Sequence, residues 1–375
     1  MGANPFLGYK YTFDDLLILP NASSVEPLEA DISSTFTKSI KLKVPIVSSP
    51  MDTVTDARMA TEMAKLGCIG VIHRNMSLEM EVEEVKKVKG IVGKKNSTID
   101  KNKRLRVAAA IGPFDIKRAK ALDKVEVDAI VIDCAHGHNL NVIKSVRKIK
   151  EEISCDLIVG NIATPEAVED YLKVEPDAFR VGIGAGSICT TRVVTGVGVP
   201  QASAIYDVSM KAKEYGIPVI ADGGIRNSGD IVKSLALGAN SVMLGNILAR
   251  TFESPGKVIN GSVVGLKGKY KLYRGMGSKS VINLTDRYMK SKKRVAEGIE
   301  GLVPLKGKVR DVIEELSNGI KQAMGYIGAK NLDELRKRAK FVLVTTHSVI
   351  ENHPHDIIRI DYRRWKELSK DDSHS

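Results

Sequence analysis

The stretch Val219-Ile220-Ala221-Asp222-Gly223-Gly224-Ile225-Arg226, continued by Ser228–Leu237 and Ser241-Val242-Met243-Leu244-Gly245-Asn246, reads as one strand–helix–strand unit. A short apolar, β-favouring run ends in an acid and two glycines. An apolar-periodic segment follows, and a second apolar run ends in Gly-Asn. The same pattern extends toward the N-terminus, with β-rich runs at Val44–Ser49, Cys68–Ile72, Val107–Ile111, Ala129–Cys134, Leu157–Asn161 and Phe179–Ile183. Helical periodicity lies between them at Asp56–Leu66, Ile116–Leu122, Leu140–Glu152 and Thr164–Leu172. Strand–helix alternation implies parallel strands joined by right-handed crossovers. Eight units predict an α/β protein with a closed (β/α)₈ TIM barrel rather than an open doubly wound sheet. Residues 1–375 then form a single barrel domain.

Composition narrows the function classes. Lys and Arg exceed Asp and Glu to give a net charge of +12, and aromatics make up 5% of the residues. The excess positive charge suits a small anionic substrate. Single-strand nucleic-acid binding needs basic patches interleaved with aromatics, and none is present, so no specific nucleic acid is expected. No run of 18 apolar residues occurs, so no membrane partner is expected either. Met1–Lys10 lacks the charged-then-apolar pattern of a signal peptide. Cys68, Cys134, Cys155 and Cys189 are scattered, without metal-type C-x-x-C spacing. A reducing, cytoplasmic setting is the expectation. Two segments break the β/α rhythm: the polar, Lys-rich 90–104, and the long basic, glycine-rich 257–308 after the eighth strand. The second is expected to be a mobile lid.

Catalytic groups of such barrels follow the strands at their C-terminal ends. Ser49-Pro50-Met51 follows the first strand, Asp133 and Asn161 end the fourth and fifth, and the Cys189 loop follows the sixth. Asp222-Gly223-Gly224 and Gly245-Asn246 follow the seventh and eighth. Small residues at these last two turns let backbone N–H groups approach a phosphate; flavin-binding barrels use a similar grip. The loop Gly182-Ile183-Gly184-Ala185-Gly186-Ser187-Ile188-Cys189-Thr190-Thr191-Arg192 has glycines at alternate positions, which permit unusual backbone angles and free its amides and carbonyls. A cysteine there is a candidate nucleophile. His136-Gly137-His138 and His353-Pro354-His355 look metal-like but lack a third ligand at suitable spacing.

This loop resembles that of the IMP dehydrogenase and GMP reductase family. The resemblance continues through Tyr11-Thr12-Phe13-Asp14-Asp15, Val47-Ser48-Ser49-Pro50-Met51-Asp52-Thr53-Val54, Asp133-Cys134-Ala135-His136-Gly137-His138 and Tyr273-Arg274-Gly275-Met276-Gly277-Ser278. It also covers Glu297-Gly298-Ile299-Glu300-Gly301-Leu302-Val303-Pro304 and His353-Pro354-His355-Asp356. It implies that Cys189 adds to C2 of the purine of IMP. Ser187, Gly224, Gly245, Asn246 and Tyr273 then hold the phosphate, and Asp222 the ribose hydroxyls. Ser49 and Met51 belong to the substrate side, and Met276, Gly277 and Glu297 meet the base. Asp133, Asn161, Gly182 and Gly184 lie on the NAD side. Carbonyls of Gly184, Gly186 and Cys189 resemble a K⁺ site completed by Glu351, Asn352 and His353 of a neighbouring subunit, which implies a homotetramer.

The dehydrogenase branch carries an Arg-Tyr pair on its lid, and Asp286-Arg287-Tyr288 resembles it. Reductases carry Ser-Ser-Glu after the Gly-Met, where this chain has Gly277-Ser278-Lys279. By resemblance, Thr191, Arg287 and Tyr288 position water to hydrolyse a covalent Cys189 thioimidate to XMP; the alternative is NADPH-dependent GMP reduction. Arginine is a poor base, with a pKa above about 12, so that role requires a guanidinium desolvated beside other cations. Three departures stand out. Only residues 90–104 occupy the place where most members insert a pair of CBS modules, Asn246 stands where Ser or Gly is usual, and Leu305 replaces Tyr.

Overall fold

The computed structural model describes residues 7–282, 295–355 and 357. Eight parallel strands close into a barrel: β1 (Ile46–Ser48), β2 (Ile69–Ile72), β3 (Ala108–Ile111), β4 (Ala129–Ile132), β5 (Asp156–Ile162), β6 (Ala178–Val181), β7 (Val219–Asp222) and β8 (Ser241–Leu244). Each pairs with the next, and β8 closes on β1 through Val242↔Ile46, Met243↔Val47 and Leu244↔Ser48. All eight predicted strands are present. The fifth runs one residue further at each end than expected, and its register with β6 shifts between Gly160 and Ile162.

Around the barrel run α1 (Ala57–Lys65), α2 (Leu78–Lys89), α3 (Ile116–Lys124), α4 (Leu140–Glu151), α5 (Pro165–Tyr171), α6 (Gln201–Lys213) and α7 (Ser228–Ala236). Short polar side chains start several of them. Asp56, Ser77, Asp115, Asn139 and Asn227 accept hydrogen bonds from the backbone N–H groups of the first turns of α1, α2, α3, α4 and α7. The eighth outer helix, α8 (Val309–Ile327), packs on α7 and comes only after the 257–308 insertion. Among the described residues, no helix is long and apolar enough to cross a membrane.

Strand alternation divides the core in two. Val47, Val71, Ala108, Ala110, Ala129, Val131, Ile158, Ala178, Ile220 and Met243 fill the barrel interior, and Phe36, Ile40 and Leu42 belong to the same cluster. The intervening residues, such as Ala109, Ile130, Ile132 and Phe179, join the larger cluster between sheet and helices. Many interior side chains are alanines, so the barrel is filled by small residues beside a few large ones.

The insertion is not all loop. β9 (Lys269–Arg274), which buries Lys271 and Tyr273 on either side of exposed Leu272, pairs antiparallel with β10 (Glu300–Pro304). The buried Lys271 Nζ donates to the carbonyls of Ser254 and Gly256 at 2.8 and 2.7 Å. Arg274 Nε donates to both carboxylate oxygens of Asp52, at 3.1 and 3.0 Å. These bonds tie the hairpin to the loops after β8 and β1.

Segment 90–104 is short but anchored. Val92 bridges to Arg104 and Ile99 to Leu105. Beside it Lys89, only 5% exposed, places Nζ 3.0 Å from Asp100 and 2.9 Å from Asp128. Removing the ammonium takes the shared cation from two buried carboxylates and leaves Asp100 only Arg104, at 2.9 Å, and Asp128 only Arg106, at 3.5 Å. Lys89→Met should therefore cost about 3 kcal/mol in a urea unfolding titration. A loss below about 1 kcal/mol would show that the ion triad does not anchor the segment.

Candidate active site

The strand parity that fills the barrel also builds its mouth. Two residues beyond interior Val131, Ala178 and Ile220 stand Asp133, Arg180 and Asp222; two beyond Val47 and Met243 stand Ser49 and Gly245. The layer above the apolar filling is thus polar. Arg180, 7% exposed, donates through Nη1 to Asp133 Oδ1 at 3.2 Å and through Nε to Asp222 Oδ2 at 2.9 Å. Arg74 Nε donates to Asp133 Oδ2 at 3.2 Å. Asn161 Nδ2 donates to Gly182 O at 2.7 Å and to Asp222 Oδ2 at 2.9 Å. Opposite charges alternate through this cluster, which is what permits four ionised groups to share a buried space. Asp222 Oδ1 has no partner among the described residues. The buried Asn161 Oδ1 is likewise unpaired among them.

The sequence reading missed Arg180 and Arg74. A signal existed for Arg180: a charged residue in the run Ala178-Phe179-Arg180-Val181 shares its face with interior Ala178. An arginine at such a place needs buried acids around it.

Gly182 opens the Cys189 loop at φ +146°, and a Cβ there would lie 2.0 Å from the carbonyl oxygen of Asp222. Only glycine lets the loop pass this close to the end of β7. Further along, Cys189 N donates to Gly186 O at 3.1 Å, and Cys189 bridges to Gly298. Thr190 N donates to Glu297 O at 3.1 Å, and Ile299 N to Ile188 O at 3.0 Å. The loop is thereby strapped to the segment preceding β10. Cys189 Sγ lies 3.1 Å from Thr191 Oγ1, which itself donates to Glu297 Oε2 at 2.8 Å. Thiol, hydroxyl and carboxylate form a continuous hydrogen-bonded row.

A cavity of about 740 Å³ opens at this face. Its walls include Cys189, Thr191 and Glu297 from this row, together with Ser49, Met51, Met276 and Gly277. The proposed cofactor-side positions Asp133, Asn161, Gly182 and Gly184 also line it, as do Asp222, Ser187, Gly224, Gly245, Asn246 and Tyr273. The structure therefore brings these predicted site residues to one space. The Tyr273 hydroxyl donates to Met51 Sδ at 3.9 Å, and burial pushes its phenol up to about 12. A Cβ at Gly245 would stand 2.8 Å from that hydroxyl and 3.2 Å from Met51 Sδ, so glycine keeps the cavity open here.

Other predicted residues lie elsewhere. Glu351 ends a short exposed helix (Ser348–Glu351), with Asn352 and His353 just beyond; none of the three lines the cavity. Arg287 and Tyr288 fall outside the described residues. His138 Nε2 lies 2.8 Å from Asp170, and no group of three His, Cys, Asp or Glu side chains suited to a metal occurs among the described residues.

Comparison with known proteins points the same way. Residues 10–355 match the IMP dehydrogenase / GMP reductase domain. A Cryptosporidium parvum protein named inosine-5'-monophosphate dehydrogenase is 46% identical, over 94% of this chain and 96% of its own. One of the same name from Borreliella burgdorferi is 43% identical, over 93% and 97%. The Methanocaldococcus jannaschii protein of that name is 41% identical over 479 aligned positions, covering 93% of this chain and 95% of its own. Because that alignment is longer than the 375 residues here, the M. jannaschii protein carries inserted sequence that this chain lacks. The chain belongs to the IMP dehydrogenase / GMP reductase family.

Proposed function

We propose that the chain oxidises inosine 5'-monophosphate (IMP) to xanthosine 5'-monophosphate (XMP) with NAD⁺, a step of guanine nucleotide synthesis, through a covalent adduct on Cys189. The observation that carries this reading is the Cys189–Thr191–Glu297 row in the wall of a nucleotide-sized cavity also lined by Gly224, Gly245, Ser187 and Tyr273. The names of the relatives favour the dehydrogenase branch over the reductase branch.

In this account the phosphate of IMP rests on the backbone of Gly224, Gly245 and Asn246 and on the hydroxyls of Ser187 and Tyr273. The free Oδ1 of Asp222 accepts a ribose hydroxyl. Met276, Gly277 and Glu297 border the base, and Ser49 and Met51 close the wall beneath it. Proton loss from Cys189 runs through Thr191 to Glu297, and the sulfur adds to C2. NAD⁺, when bound, accepts the hydride that leaves C2. Its side of the cavity is Asp133, Asn161, Gly182 and Gly184, and the buried, unpaired Asn161 Oδ1 suits a donor from that group. A thioimidate remains on Cys189. Water then adds at C2 and the C–S bond breaks, which releases XMP and restores the thiol. Thr191, Arg287 and Tyr288 position this water, with the lid region 257–308 closing over the site.

The carbonyls of Gly184, Gly186 and Cys189 fit a monovalent cation such as K⁺. They are uncharged oxygens on a loop turned by Gly184 at φ +72°, and the Gly186 carbonyl keeps a second lone pair beyond its bond to Cys189 N. Glu351, Asn352 and His353 would complete this set from a neighbouring subunit, within a homotetramer.

Mixing the protein with IMP, NAD⁺ and K⁺ should give steady NADH absorbance, and Cys189→Ala should lower it by about a thousandfold or more. Loss of NADPH absorbance with GMP, and silence with IMP, would place the chain in the reductase branch. Arg287→Ala should leave a burst of one NADH per site followed by a steady rate at least about a hundredfold below the parent's. Equal slowing of burst and steady rate would remove Arg287 from hydrolysis.

A further inference from the structure

Four cationic side chains line the cavity among the described residues: Arg180, Arg226, Arg250 and Lys306. Arg180 is neutralised by Asp133 and Asp222, and Arg226 by Asp14 and Asp230. Arg250 and Lys306 have no carboxylate partner among the described residues. Their backbones meet directly, Lys306 N donating to Arg250 O at 2.8 Å.

Arg250 is also aimed. Its Nε donates to the side-chain Oδ1 of Asn246 at 2.9 Å, one turn back along the short helix Asn246–Ala249. This bond draws the guanidinium toward Gly245-Asn246, the glycine-lined end of the cavity, and leaves both Nη groups without a partner among the described residues. The charge also acts on the Tyr273 phenol. The grip described above consists of backbone amides and two hydroxyls, all uncharged, whereas a nucleotide phosphate brings nearly two negative charges. A guanidinium is the group that meets a phosphate with paired, charge-assisted donors.

We propose that Arg250, held in place by Asn246, binds the 5'-phosphate of the nucleotide, with Lys306 adding positive charge behind it. The inference rests on the nucleotide reading of the cavity. It gives Asn246 a purpose: the shorter Ser or Gly expected there by resemblance would not hold the guanidinium in the same way. Glu315 of α8 also lines the cavity and sets a limit on how far the positive field extends.

Calorimetric titration of the full chain with IMP, and separately with inosine, tests this. Arg250→Gln should weaken IMP binding by about tenfold or more, and Asn246→Ser by less. Inosine binding should stay unchanged in Arg250→Gln. In turnover, Arg250→Gln should raise KM for IMP while kcat holds. IMP affinity within about twofold of the parent's, or equal losses for IMP and inosine, would overturn the assignment. A parent that binds no IMP would overturn the nucleotide reading itself, so the two failures are told apart.

Discussion

The buried guanidinium of Arg180 is the contact on which the rest of the mouth depends. It reaches Asp133 at the end of β4 and Asp222 at the end of β7, so three strands are fixed to one another above the apolar filling. A lone arginine inside a barrel would be costly, and so would either acid alone. Together, with Arg74 also bonded to Asp133, they form a cluster of alternating charge. The price of this polar layer is set by its geometry: any one charge removed strands another.

The Cys189 loop is fitted onto that frame. Gly182 passes within contact of the Asp222 carbonyl, and Asn161 bonds both Gly182 O and the Asp222 carboxylate, so the base of the loop is referenced to the cluster. The far end is referenced to the hairpin β9–β10 through Thr190, Ile188 and Cys189. Lys271 and Arg274 tie the same hairpin back to the barrel. Cys189 therefore sits between the polar cluster and the hairpin, and its row to Glu297 follows from that placement rather than from local sequence.

Much of this was legible in the sequence because it rests on periodicity and parity. Eight apolar runs sufficed for the barrel, and the rule that chemistry follows the strands gathered Asp133, Asn161, Cys189, Asp222 and Gly245 onto one face. Arg180 was passed over although its parity with Ala178 marks it as interior, since a single charge in an apolar run was absorbed into the strand. Arg74 carried no such mark: it follows β2 outside any motif, and its bond to Asp133 depends on how adjacent loops fold. The Thr191–Glu297 contact joins residues 106 positions apart and needed the hairpin to be known. The pairing of Asn246 with Arg250 has the spacing of one helical turn, but nothing in the sequence said that a helix would begin there.

The proposed function requires the barrel mouth to hold Cys189 against a purine carbon. It is tested most directly by acid-quenching the protein during turnover of IMP with NAD⁺ and analysing its peptides by mass spectrometry. The account predicts that the peptide containing Cys189 gains the mass of IMP less two hydrogens, and that the peptides of Cys68, Cys134 and Cys155 stay unmodified. NADH formation with no adduct on Cys189, or an adduct on another cysteine, would contradict it.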